Sequence, residues 1–364
     1  MCKIYVLPIS GGGFVSQLAL LSELYDATVE DDMDHHVRDQ FLGINHRKSL
    51  PGTPDLVLAS SGGNVAAYLA MVSGWSSSAI ANNMRAVKSS IFVQPWTPSF
   101  LPTWVMYPFT QSVYRNGSGM EELFTSMYTP ISIKQTEIWS GTYNTISQKS
   151  RLFCNLSEEN SFIKASSITH RIPLYDSDSM VYLDGDIVKI SKAVHASAAI
   201  PIVTEGVYID SIKYSDGGVS YSSPLVPISE HLKKSVDKYL KVPSPCKKVI
   251  QMFYFCSYDM EQLFPDTVYA KVGLLIHSSA LQDRAASLSF IEKYTELEDP
   301  VLYPSLNSKK LREILREIKD KSYLVWFYPL NAKSVNVADF SFKELQEYVE
   351  WTRKNYAAII WIGK

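Results

Sequence analysis

The 364-residue chain has little cysteine: Cys2, Cys154, Cys246 and Cys256 stand far apart, with no CxxC pair among them. That spacing offers neither a disulfide framework nor a zinc ribbon, and the four are expected as reduced thiols of a cytoplasmic or intracellular protein. No apolar run approaches the roughly 20 residues of a membrane-spanning helix, and the opening MCKIYVLPIS is too short for a signal peptide. Charge of one sign is not in excess either, with 35 Lys and Arg against 37 Asp and Glu. A net charge of −2 leaves no electrostatic footprint for nucleic acid. The seven histidines form no set at metal-ligand spacing. His35, His36 and His46 fall in a polar stretch read as a surface loop, and neither metal nor cofactor is expected. No internal repeat, low-complexity tract or linker interrupts the chain.

What is present is apolar content, 46% of residues, ample for a large core. Lys3 to Ile9 reads as a first buried strand, and Leu56 to Leu58 form a short apolar run without alternation, as in a strand buried on both faces. Phe14, Leu18, Leu21 and Tyr25 recur at helical spacing after the first strand. Further strands are expected over EIWSGTYN, SRLFCNLS, Lys248 to Cys256 and Tyr323 to Tyr328, with helices over 187–199, 267–296 and 308–320. Asp184-Gly185 reads as the turn of a hairpin over Met180 to Ile187, and a smaller hairpin is expected over Tyr208 to Tyr214. Ser341 with Glu344 forms a capping box for a final helix. Alternating strands and helices predict one α/β domain over 1–364 with a mainly parallel sheet. A window at about 91–130, rich in proline and aromatic residues, is read as an insertion, and the part from about 260 as largely helical. Trp96, Phe100, Trp104 and Phe109 in that window suit either a lid packed on the core or a lipid-facing cap.

Three stretches carry chemistry. Ser10-Gly11-Gly12-Gly13 joins the first strand to the first helix, and its glycines let backbone N–H groups converge as an anion-binding nest. No Gly-Lys-Ser/Thr follows, so it is not a Walker loop, and the dinucleotide fingerprint is not met. Ala59-Ser60-Ser61-Gly62-Gly63 stands between a buried strand and a helix rich in small residues, the layout of a nucleophile elbow with Ser61 at its apex. The small hairpin delivers Asp216-Gly217-Gly218 to a loop; taken alone, that stretch reads as a turn.

These pieces stand in a fixed order, with Ala196-Ser197-Ala198-Ala199-Ile200-Pro201 between the last two. Together they resemble the patatin-like phospholipase family, in which a glycine-rich oxyanion loop, a Gly-x-Ser-x-Gly elbow, an Ala-Ser-x-Ala-x-Pro segment and an Asp-Gly-Gly/Ala follow one another. The resemblance covers about residues 4–225 and implies a three-layer α/β sandwich with a mainly parallel central sheet. It implies lipid acyl hydrolysis of phospholipase A type or a related esterase activity through an acyl-enzyme, with no metal. Ser61 is then the nucleophile and Asp216 the base. Gly11, Gly12 and Gly13 form the oxyanion hole, with support from Gly63, Gly217 and Gly218. The partner is a lipid or phospholipid, with peripheral membrane contact. The sequence departs from the family pattern at Ala59, at Val15 and Ser16 after the glycine loop, at Asn64, and at His195 before the third segment. Two other readings compete: a catalytically weak lipid-binding or interaction protein, favoured by Val15 and Ser16, and an α/β-hydrolase triad of Ser61, Asp216 and His277.

Overall fold

The computed structural model describes residues 2–12, 14–28, 53–84, 114–117, 119–127, 136–164, 175–201, 203–221, 223–256, 268–330 and 350–364, with short pieces at 87, 91, 93–95 and 112. Strands are β1 (Cys2–Ile9), β2 (Leu56–Ser60), β3 (Val93–Pro95), β4 (Tyr114–Asn116), β5 (Glu137–Asn144), β6 (Lys149–Cys154), β7 (Tyr175–Tyr182), β8 (Val207–Ile209), β9 (Ile212–Asp216), β10 (Lys248–Phe255), β11 (Val301–Tyr303), β12 (Tyr323–Pro329) and β13 (Tyr356–Ile362). Helices are α1 (Phe14–Thr28), α2 (Ser61–Val72), α3 (Ser77–Met84), α4 (Met120–Met127), α5 (Ile187–Ser197), α6 (Leu225–Lys241), α7 (Val268–Glu292) and α8 (Ser308–Glu317).

One sheet runs β11-β13-β12-β10-β1-β2-β5-β6-β7, with the β8–β9 hairpin attached through β9 to β5. Its centre, from β12 through β10, β1 and β2 to β5, is parallel throughout, and antiparallel pairs appear toward both sides. Helices cover both faces, so the central strands are largely apolar on both sides. Tyr5, Leu7 and Ile9 of β1 face a core shared with α1, α2, α5 and α8, while Ile4 and Val6 face a second core shared with α6 and α7. The same division splits β2, β10 and β12. The fold is therefore a mixed α/β architecture with helical layers on either side of a mainly parallel central sheet.

Three local readings need correction. The Asp184-Gly185 turn does not close a hairpin: β7 runs parallel to β6, and the turn leads into α5. Asp184 and Gly185 do take left-handed conformations (φ +47 and +74). Asp186 then accepts from the Val188 and Lys189 N–H groups, so a helix cap rather than a second strand follows. The segment after α8 ends in strand β13 as well as β12, and β13 pairs antiparallel with β12 and β11. The expected capping box at Ser341 and Glu344 lies outside the described residues, as do His35, His36, His46, Trp96, Phe100, Trp104 and Phe109. Cys154 and Cys256 are free and buried, but Cys246 is disulfide-bonded, so the four are not all thiols. No helix among the described residues is long and apolar enough to cross a membrane.

Candidate active site

The central parallel strands gather the site at their carboxyl ends, where open α/β sheets hold ligands. β2 ends at Ser60 in extended conformation (φ −133°, ψ 156°). Ser61 follows at φ +54°, a left-handed backbone that a non-glycine residue keeps only under constraint, and α2 begins there. This is the strand, strained turn and helix of a nucleophile elbow. A Cβ at Gly63 would stand 2.4 Å from the Ser10 carbonyl oxygen and 2.9 Å from the Ile9 side chain. The first turn of α2 thus lies directly against the end of β1, where the glycine loop starts. Ser10 donates its N–H to the Phe255 carbonyl at 3.0 Å and accepts from Gln17 Nε2 at 2.5 Å, so the loop is anchored on both β10 and α1. Gly12 takes φ +82°, open to glycine without strain. Gly13 lies outside the described residues, as do the side chains of Val15 and Ser16.

β5 brings the carboxylate to the serine. On one side its Gly141 pairs with Ser60, and on the other its Thr142 pairs with Asp216 at the end of β9. Ser61 Oγ donates to Asp216 Oδ2 at 2.6 Å, and the Gly218 N–H donates to Oδ1 at 2.7 Å. Gly217 makes the close approach possible, since a Cβ there would sit 2.2 Å from the Gly141 carbonyl oxygen. Burial pushes the Asp216 carboxyl up to about 7, against the bonds from Ser61 and Gly218 that favour its charged form. A carboxyl that titrates near neutral pH and bonds a serine hydroxyl directly is set up to accept that proton. The direct bond leaves no gap between Ser61 and Asp216 for an imidazole. His277 falls within α7, with its side chain outside the described residues.

The segment from Ala196 to Pro201 touches both partners. Ser197 Oγ accepts from the Ser61 N–H at 3.0 Å and donates to the Gly141 carbonyl at 2.7 Å. The Ala199 carbonyl accepts from the Asp216 N–H at 2.9 Å. Ser197 was visible in the sequence only as a motif position; its partners are far along the chain, and no local pattern announces them. Asn64, a polar residue inside the elbow helix, accepts from Ser140 Oγ of β5 at 3.1 Å. His195 is buried with neither ring nitrogen hydrogen-bonded among the described residues, and burial lowers its pKa to about 4, so it is neutral at neutral pH. Two apolar side chains beside the Asp216 supports face solvent: Ile200 is 38% exposed and Val219 55%.

The structure therefore brings together Ser61, Gly63, Asp216, Gly217, Gly218 and the start of the glycine loop. No curated protein sequence matches the chain. Among solved structures it resembles one described as "Crystal structure of VipD from Legionella pneumophila", at 10% identity over 96% of this chain and 67% of that one. The TM-score of 0.29 is too low for that likeness to carry any argument. The family model described as "Patatin-like phospholipase" matches residues 9–228, more than half of the chain and the whole span from the glycine loop through Asp216. The chain belongs to the patatin-like phospholipase family, a family of lipid hydrolases.

Proposed function

We propose that the protein is a lipid acyl hydrolase, of phospholipase A type or a related esterase, working through a Ser61–Asp216 dyad and an acyl-enzyme. The observation that carries this reading is the 2.6 Å bond from Ser61 Oγ to a buried carboxyl whose pKa burial raises to about 7. Ser61 Oγ attacks the ester carbonyl carbon while Asp216 takes its proton. The carbonyl oxygen becomes an oxyanion held by N–H groups of the Gly11–Gly13 loop. The tetrahedral intermediate collapses, the acyl C–O bond breaks, and Asp216 returns the proton to the leaving alcohol. Water then attacks the acyl-Ser61 ester, passing a proton to Asp216 and on to Ser61 Oγ as the fatty acid leaves. The glycine loop supports the oxyanion role because it starts against the elbow at Ser10 and Gly63.

The direct serine–carboxyl bond favours the dyad over a triad through His277. The whole chain is read as one patatin-like unit, because β10 to β13 continue the same sheet beyond the family match. The exposed Ile200 and Val219, each next to a residue that holds Asp216, suit peripheral contact with a lipid surface.

The test is hydrolysis of a lipid panel with products read by mass spectrometry. Ser61→Ala and Asp216→Asn are each expected to abolish release of fatty acid with the fold intact by circular dichroism. The double variant is expected to be little worse, since members of one catalytic unit are not additive. His277→Ala is expected to keep most activity. A folded, inactive His277→Ala beside an active Asp216→Asn replaces the dyad with the triad; wild-type binding without turnover replaces it with a lipid-binding protein.

A further inference from the structure

We propose that Ser197 is a positioning residue for the reaction: one buried hydroxyl, shared between the Ser61 N–H and the Gly141 carbonyl, holds the nucleophile against its base. The proposal rests on the Ser61–Asp216 reading above.

Ser61 is the first residue of α2, so its N–H is one of those a helix leaves without an internal partner. The preceding residue does not satisfy it: an N-cap side chain reaches the N–H of N2 or N3, and Ser60 makes no side-chain cap bond at all. The cap comes instead from Ser197, 136 residues away, at 3.0 Å. A hydroxyl has one proton to give, and that of Ser197 goes to Gly141 at 2.7 Å, which directs its lone pairs at the Ser61 N–H. Ser197 is fully buried, so water does not compete for either bond.

These two bonds complete a ring. From Ser61 Oγ it passes to Asp216 and Gly217, across the contact of Gly217 with the Gly141 carbonyl, through Ser197 Oγ, and back to the Ser61 N–H. The other links are the Ser61–Asp216 side-chain bond, the peptide bond from Asp216 to Gly217 and a close backbone contact, and the Ser197 hydroxyl is what joins them to the nucleophile's own backbone. Without it, the Ser61 N–H and the Gly141 carbonyl both lose a partner in a buried site, and the left-handed Ser61 backbone loses a restraint. Ser61 Oγ then swings away from Asp216 Oδ2. A purely structural cap predicts a different result, a lower melting temperature with unchanged turnover.

The experiment measures kcat and KM on a soluble short-chain ester for the wild type, S197A, S197T and S191A, with S61A as the blank. Ser191 is a second buried serine on α5 whose hydroxyl has no hydrogen-bond partner among the described residues, so S191A controls for loss of a buried hydroxyl. S197A is expected to lose about ten- to a hundredfold in kcat, the scale of a small misplacement of reacting groups, with KM within about threefold of wild type. S197T, which keeps the hydroxyl, is expected to recover most of the loss, and S191A to match wild type. If S197A does not fold, S197C, close to serine in size but a poor hydrogen-bond donor, is judged on the same split. A folded variant with kcat within twofold of wild type, or with the loss confined to KM, overturns the proposal alone. Wild-type turnover no greater than that of S61A overturns the dyad reading and this proposal with it.

Discussion

A buried carboxyl held next to a serine hydroxyl has consequences for both rate and stability. Asp216 must be ionised to accept the Ser61 proton, and burial raises its pKa to about 7. On a neutral ester, kcat/KM is therefore expected to be about tenfold lower at pH 6 than at pH 8, rising through pH 7. A flat profile over that range contradicts the role of Asp216 as base. The same shift acts on folding with a definite sign. Between the ordinary value of 3.8 and about 7, the folded chain keeps a proton on Asp216 that the unfolded chain releases. Stability contributed by this group is thus complete below about pH 4 and lost as pH rises toward 7, by up to about 1.4 kcal/mol per pH unit. Asp216→Asn has no such loss, so its melting temperature is expected to exceed that of wild type by a margin that grows from pH 4 to pH 7. Asp283, also raised to about 7 by burial, and His195, lowered to about 4, titrate equally in both proteins and drop out of the comparison. Ser61 and Asp216 were legible in the sequence because strained turns demand small neighbours, and Gly63, Gly217 and Gly218 supply them. Ser197 was not, because a side chain that caps a helix from another element leaves no periodic or local trace.

Among the elements, the junction of β1 with α2 is the tightest test of the site's construction. Gly63→Ala would drive a methyl group to 2.4 Å from the Ser10 carbonyl. It is expected to cost about 1–3 kcal/mol, as overpacking does, and to remove most activity, since it separates the elbow from the glycine loop. A thermal melt and an ester assay on one preparation check both. Gly12→Pro is likewise expected to abolish activity, because φ of +82° is closed to proline. The short 3₁₀ turn Gly217–Val219 carries the exposed Val219. If this turn meets a lipid surface, Val219→Asp lowers hydrolysis of vesicles several-fold more than hydrolysis of a soluble ester; equal effects on both contradict the membrane contact. Elements with strong periodicity, such as α8 and the buried strands, were legible from their residues alone. The turn at Asp184-Gly185 was not, because its left-handed residues serve a strand-to-helix connection as well as a hairpin, and only the Asp186 cap decides between them.

For the whole molecule, the matched span and the folded sheet do not end together. The family match stops at residue 228, yet β10 lies beside β1 in the middle of the sheet, with Val6 opposite Met252. A chain ending at Lys241 would expose the apolar edge of β1 and uncover the side chains that pack on α7. It is expected to be insoluble or to bind a hydrophobic dye strongly, whereas a soluble, dye-silent fragment contradicts the dependence on β10. The alternation of strands and helices made the parallel centre legible. The antiparallel pairing of β13 with β12 and β11 was not, because a strand and a helix read alike in a short apolar run.

The central claim is that Ser61 is a nucleophile activated by Asp216. The most direct measurement is the rate and position of covalent labelling by a fluorophosphonate probe, read by intact mass and peptide mapping. The account predicts a single adduct on Ser61 in the wild type, labelling slowed at least about a hundredfold in Asp216→Asn, the scale of losing a general base, and wild-type labelling in His277→Ala. An adduct on another residue, no adduct, or equal labelling of wild type and Asp216→Asn would contradict it.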